Sequence, residues 1–203
     1  MTWYLLRPRP ISNGMEPLAK LIGSPGRLKL LRLFLFNQDA AFTLAEAGER
    51  AKLTREVTRD ECAILVASGV IRKKGTGVKA KYQTDKRFEY FGALDTFIRT
   101  TTAVQPATVL ALVKKAGTLR LLVLSGIFTG SIEPQIDLLV VGDNLDERAL
   151  ARAVHVIEAE LGREVRYASF STEDFRYRRG VYDRLIRDVL DYPHQVVFDR
   201  IGL

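Results

Sequence analysis

The chain has 203 residues, 47% hydrophobic and 27% charged, a globular composition with room for one large domain or two small ones. Its formal net charge is +7, and the excess is uneven: Met1 to Arg87 carry 17 Lys and Arg against 8 Asp and Glu, while Phe88 to Leu203 carry 14 against 16. Cys62 is the one cysteine, which excludes an internal disulfide and a thiol-based metal site within one chain; with His155 and His194 as the two histidines, no structural zinc is expected.

Taken in order, Met1 to Met15, with Pro8, Pro10 and Asn13-Gly14, reads as an irregular arm whose Arg7 and Arg9 either follow a DNA groove or sit on a loosely packed terminus. Its apolar residues precede its basic ones, the reverse of a secretory signal, and the strongest apolar run, Leu28 to Phe36, is short and interrupted by Lys29 and Arg32. A cytoplasmic protein without a membrane partner is expected. Ser24-Pro25 is a cap followed by proline at the first helical position, and Leu28, Leu31 and Leu35 with Leu30 and Phe34 give the following helix a broad apolar face. Lys29 and Arg32 on its other side either touch phosphate or are solvated.

From Ala40 to Asp85 the sequence lays out two short helices, a tight turn and a basic hairpin, the order of a winged helix-turn-helix. Thr43 and Glu46 form a capping box for a helix to about Ala51. Thr54 caps a second, whose stripe of Cys62, Leu65 and Val66 has helical spacing and which stops at Ser68-Gly69. Cys62 on that stripe reads as a small core residue. Arg72 to Tyr82 then reads as two strands joined by a glycine-rich turn, the wing. In such a unit the first turns of the second helix lie nearest the bases, which points to Thr54, Arg55, Thr58 and Arg59, while Thr43 and the wing residues Lys73, Lys74, Lys79 and Lys81 are candidates for the flanking phosphates. Glu56, Asp60 and Glu61 make that helix slightly acidic, so its attraction to phosphate has to come chiefly from the wing and the preceding helix.

Phe88 to Arg99 carries Phe88, Phe91, Leu94 and Ile98 at helical spacing, with Tyr90 and Phe97 to either side. So much apolar surface needs two partners, within the chain or across a homodimer, and a homodimer is favoured because paired recognition helices meet half-sites roughly 34 Å apart. Thr100 to Thr102 and Pro106 break the pattern. A helix from about Ala107 to Ala116, a strand at Leu119–Leu124, a turn-rich connection, a strand at Ile136–Val141, a helix at Glu147–Leu161, a strand at Glu164–Ser169 and one or two helices over Ser171–Asp191, broken near Gly180, complete the pattern. The expected divisions are an arm (1–16), a winged helix-turn-helix (17–87), a linking helix (88–104) and an α/β unit with a small mixed sheet (105–203), an α+β protein in all.

The strand, the Ser125-Gly126 pair, the connection through Gly130 and the approach to the next strand at Gln135 and Asp137 resemble the minimal nucleotidyltransferase fold, and the first part resembles ArsR-like winged-helix regulators. Together, from about Leu18 onward, the chain resembles bacterial and archaeal proteins in which such a winged helix precedes a nucleotidyltransferase-like domain. In that family a Gly-Ser pair holds the triphosphate, and paired aspartates with a third carboxylate on the following strand hold the metal ions. This chain has Ser125-Gly126 in the reverse order, Gln135 where the first aspartate belongs, and no carboxylate from Val165 to Phe170. The resemblance therefore implies a degenerate domain, with Ser125, Gly126, Gly130, Gln135 and Asp137 as a nucleotide-binding remnant to which Arg176, Arg178 and Arg179 can add charge, and with no cofactor or metal. Asp137 alternatively caps a turn or pairs with a nearby arginine.

These features point to a DNA-binding regulator with double-stranded DNA as partner, its second domain serving dimerisation, nucleotide or effector sensing, or protein binding. Two alternatives stay open: an active transferase acting on a protein, an RNA or a small molecule with Asp137 as its surviving ligand, and a winged-helix protein-interaction module of the antitoxin type.

Overall fold

In the computed structural model, which describes residues 17–131 and 134–203, the chain is a mixed α+β protein with two small sheets. The expectations for Met1 to Met15 lie outside the described residues. A short helix α1 (Pro17–Ile22), which the sequence pattern does not announce, leads into α2 (Pro25–Phe36). Ser24 caps α2 by accepting from the Arg27 amide at 3.3 Å, and Pro25 occupies the first turn, where no backbone donor is needed. Phe42–Thr43 is a short strand, β1, rather than the opening of a helix. Thr43 then caps α3 (Leu44–Ala51) through a complete capping box: the Glu46 amide donates to the Thr43 hydroxyl at 3.2 Å, and the Thr43 amide donates to the Glu46 carboxylate at 2.7 Å. That amide and the hydroxyl hold the Glu46 carboxyl below its ordinary pKa. Helix α4 (Arg55–Ala67) follows with Thr54 as its cap, then β2 (Ile71–Lys74), one 3-10 turn at Gly77–Lys79, and β3 (Lys81–Thr84).

The three strands form an antiparallel sheet in the order β1-β3-β2. Beneath it lies one apolar cluster, built from Leu28, Leu30, Leu31, Phe34 and Leu35 of α2, Ala47 and Ala51 of α3, Cys62 and Leu65 of α4, and Ile71 and Tyr82 of the strands. Helix α5 (Phe91–Thr101) packs onto this same cluster through Phe91, Leu94 and the buried Ile98, while Tyr90 and Phe97 remain exposed. Burial pushes the Cys62 thiol up to about 12, with Glu61 adding to it. A thiol so protonated is a poor nucleophile, so a thiol reagent at pH 8 is expected to label the folded chain negligibly and the urea-unfolded chain fully. Rapid labelling under native conditions would contradict the buried placement.

After α6 (Pro106–Val113) and a 3-10 turn come β4 (Thr118–Leu124), β5 (Leu138–Asp143), α7 (Glu147–Leu161), β6 (Tyr167–Phe170), α8 (Thr172–Gly180), α9 (Arg184–Asp191) and β7 (Gln195–Asp199). Their sheet runs β6-β5-β4-β7, parallel between β5 and β6 and antiparallel elsewhere. Successive strand residues point to opposite faces, and both faces are covered. Leu122, Leu124, Leu138 and Val140 pack on Val109, Val113, Leu150 and Ile157 from α6 and α7; Leu121, Val123, Leu139 and Val141 pack on Phe175, Ile186 and Val189 from α8 and α9. Two-sided burial is why β5 opens on, and β4 apart from Arg120 holds, a continuous apolar run. Asp183 caps α9 by accepting from the Leu185 and Ile186 amides, which accounts for the break after Gly180. β7 has no counterpart among the expected elements.

A polar seam joins the two parts. Lys29 pairs with Glu160 of α7 at 2.8 Å, and Arg32, 2% exposed, reaches the same carboxylate at 3.8 Å and donates to the Thr102 hydroxyl at 3.2 Å. The Asn37 amide donates to the Leu33 and Gly162 carbonyls, both at 2.7 Å. Lys29 and Arg32 therefore neither meet phosphate nor lie free in solvent. Their charges are used to fix α2 against α7.

Candidate nucleic-acid interface and the Asp137 site

The cations expected to meet DNA sit on two elements. Arg55, in the first turn of α4, and Arg59, one turn on, are exposed, and Arg59 donates to Asp60 at 3.0 Å. Glu61 is tied to Arg27 at 2.9 Å and is withdrawn from the surface. Thr54 is exposed but its hydroxyl caps the helix, accepting from the Val57 amide at 3.4 Å; the Thr43 hydroxyl is likewise engaged, donating to Glu46 at 3.0 Å. Thr58 has to be removed from the candidate contacts. It is 0% exposed, and its hydroxyl donates to the Thr54 carbonyl at 2.8 Å, because Thr58, Cys62 and Leu65 share the inward stripe of α4. At about 100° per residue, the face opposite that stripe presents Glu56, Asp60, Ala63 and Ala67, with Arg59 between that face and the stripe and Arg55 in line with Cys62 but exposed at the start of the helix.

Lys73 and Lys74 on β2, Lys79 in the 3-10 turn and Lys81 on β3 are all exposed. In the ladder Lys74 stands directly opposite Lys81, and Lys73 opposite Tyr82, whose ring lies 5.9 Å from its ammonium. Like charges directly opposite one another destabilise an antiparallel pair. Among the described residues no carboxylate pairs with any of these four lysines. Val78, 80% exposed, stands at the tip of the hairpin between them.

The Asp137 site has a different character. Asp137 precedes β5, is 0% exposed, and accepts four hydrogen bonds. The Ile127 amide (3.0 Å) and Arg166 Nη2 (2.8 Å) donate to Oδ1; Arg166 Nε and the Arg166 amide, both at 3.0 Å, donate to Oδ2. The Asp137 amide returns a bond to the Arg166 carbonyl at 2.7 Å. A carboxylate offers about four acceptor positions, and all are taken. The side chain of Ser125 is buried and donates to the Ile136 carbonyl at 2.8 Å, while Gly126, with φ +51°, lies so close to Asp137 that a Cβ would overlap the carboxylate. Gly130 and Gln135 are exposed. Comparison with known protein families, curated proteins and solved structures found no match.

The residues present therefore do not fit a divalent metal ion. Gln135 has no charge to offer, Asp137 has no free acceptor, and where a third carboxylate would be needed the strand is entered by Arg166, a cation. Among the described residues no group of three His, Cys, Asp or Glu side chains is placed to hold a metal. Nor do the nearby arginines converge on this site: Arg178 pairs with Asp174 and Asp183, both at 3.1 Å, and Arg179 donates to the Gly202 carbonyl. Of the structural roles the sequence leaves open for Asp137, the geometry shows both: it pairs with Arg166 and caps the turn after β4 by accepting from the Ile127 amide. Arg166 is the residue the sequence reasoning missed, since a search of this strand for carboxylates passes over a cation.

Proposed function

We propose that the chain is a DNA-binding transcriptional regulator in which residues 17–87 act as a winged helix-turn-helix and the remainder, nucleotidyltransferase-like in kind, carries no transfer reaction and serves dimerisation, sensing or partner binding. The observation that carries this reading is the basic hairpin. Four exposed lysines, two of them directly opposed in the ladder, concentrate a charge that a polyanion would relieve. The order helix, strand, helix, helix, hairpin, with β1 paired to β3, supports it, as does the exposure of Arg55 and Arg59 at the start of α4. Tyr90 and Phe97, left outside the core by α5, support a second copy of the chain as partner.

Fluorescence anisotropy against a pool of labelled duplexes tests the proposal. Changing Lys73, Lys74, Lys79 and Lys81 together to alanine is expected to weaken binding similarly on all sequences and to make the log–log salt dependence shallower by about 3 to 4, if each lysine neutralises one phosphate. Arg55→Ala or Arg59→Ala is expected instead to relax base preference, at about 1–3 kcal/mol for a bidentate guanine contact. Enrichment of a palindrome would support the homodimer. Unchanged affinity in all these variants would overturn the reading. A protein-interaction module is the second reading, and the outward face of α4 favours it: Glu56 and Asp60 repel phosphate, and Ile64 beside them is 45% exposed. No affinity for any duplex at low salt, with a stable complex on this face, would establish it.

A further inference from the structure

A cleft of ≈ 500 Å³ opens between α3 and the segment that links α7 to β6, within the range of about 300–1,000 Å³ usual for small-molecule sites. Its lining is densely charged, yet most of those charges are already engaged. Arg50 pairs with Glu164 at 2.9 Å, Arg166 with Asp137 at 2.8 Å, and Glu158 accepts from the Val165 amide at 2.9 Å while contacting His155 at 2.8 Å. Glu46 is held by the Thr43 cap.

Lys52, exposed, and Arg163 are the lining cations that form no ion pair among the described residues, and Arg163 is the half-buried one. Its guanidinium lies 5.0 Å over the Phe36 ring, and its Nε is buried with no hydrogen-bond partner. Among the described residues no carboxylate forms an ion pair with it; Glu49, on the α3 wall, does not reach it. The charges around it oppose one another, Asp137 favouring the cation and Arg99 and Arg166 disfavouring it. Burial, then Arg99 and Arg166, pull its pKa below the ordinary arginine value, against an Asp137 whose acceptors are already taken by Arg166. Arg99 stacks on the same Phe36 ring, also at 5.0 Å. The buried Nε is closed to solvent, so the fork's terminal N–H groups, which meet no hydrogen-bond acceptor among the described residues, are the ones an oxyanion in the cleft would meet, planar donors for which arginine is suited over lysine.

We propose that this cleft binds a small organic oxyanion, a carboxylate or a phosphate ester, seated on Arg163. The site is independent of whether the chain binds DNA, although α3, its other wall, packs against α4. Calorimetric titration of the full chain without DNA, using citrate and inorganic phosphate as probes at constant ionic strength, tests it. At least one probe is expected to bind saturably, about tenfold or more weaker with Arg163→Gln, and intermediately with Arg163→Lys, which keeps the charge but loses the fork. Arg178→Gln, outside the cleft, is expected to leave affinity unchanged, and circular dichroism would confirm that each variant is folded. Absence of binding by both probes, or binding that the Arg163 variants do not alter, overturns the proposal.

Discussion

Replacing Gly162 with alanine is expected to lower the stability of the chain by about 2–5 kcal/mol. Gly162 ends α7 in the left-handed conformation, φ +75°, where an L side chain costs roughly 1–2 kcal/mol. More decisively, a Cβ there would stand 2.6 Å from the Arg32 Cβ and 2.7 Å from the Leu33 amide nitrogen, backbone and near-backbone atoms of α2 that cannot swing aside. Overpacking of this kind adds about 1–3 kcal/mol. Relief requires α7 to withdraw from α2, which would also lengthen the Asn37 bond to the Gly162 carbonyl and the contacts of Lys29 and Arg32 with Glu160. Gly130→Ala is the control: its φ of +76° carries the same strain, but nothing lies within 4 Å of a Cβ there. In urea unfolding followed by circular dichroism, Gly162→Ala should shift the midpoint well beyond Gly130→Ala. Equal shifts would mean that the α2–α7 seam does not form in solution.

That seam was not legible in the sequence, and the reason is physical. Lys29 and Arg32 lie on the less apolar side of α2, and local pattern cannot distinguish a cation that meets solvent or phosphate from one that meets a carboxylate on a helix far along the chain; Asn37 and Gly162 are 125 residues apart. Elements buried on two faces were legible because burial leaves a continuous trace: Leu119 to Leu124 and Ile136 to Val141 stand in the strands they predict, apart from one or two residues at the ends. Caps were equally plain at Ser24, Thr43 and Thr54, where a hydroxyl and its amide partner lie three residues apart. β7 escaped notice as a short edge strand whose Val196 is 41% exposed, so no alternation marks it. Thr58 is a different failure. Its spacing to Cys62 and Leu65 was already the spacing of the buried stripe, and the helical period, applied to the candidate contacts as well as to the core, would have removed it.

Asp137→Ala is expected to destabilise the chain by about 2–4 kcal/mol, with no ligand or metal added. Truncating one member of a buried ion pair costs about 3–5 kcal/mol, but the Arg166 side chain is 50% exposed and partly rehydrates, which lowers the figure. The larger share comes from the backbone: the Ile127 and Arg166 amides lose their acceptor, and an unsatisfied buried donor costs about 1–3 kcal/mol. The direction of this effect separates two roles for the same residue. An aspartate kept to hold a divalent cation is an uncompensated buried charge until the cation arrives, so its removal would leave the metal-free protein unchanged or more stable. An aspartate kept to bind Arg166 and cap the turn after β4 is a structural member, so its removal weakens the protein whether or not magnesium is present. Thermal unfolding of the wild-type and Asp137→Ala chains, each with and without magnesium and ATP, reads the difference directly. A variant as stable as wild type without metal, together with a wild type that magnesium and ATP stabilise, would return Asp137 to the metal site and reopen the transferase chemistry. A drop in melting temperature of similar size under both conditions would assign the strand-end aspartate to the fold, with Arg166 occupying the position where a metal ion would have to sit.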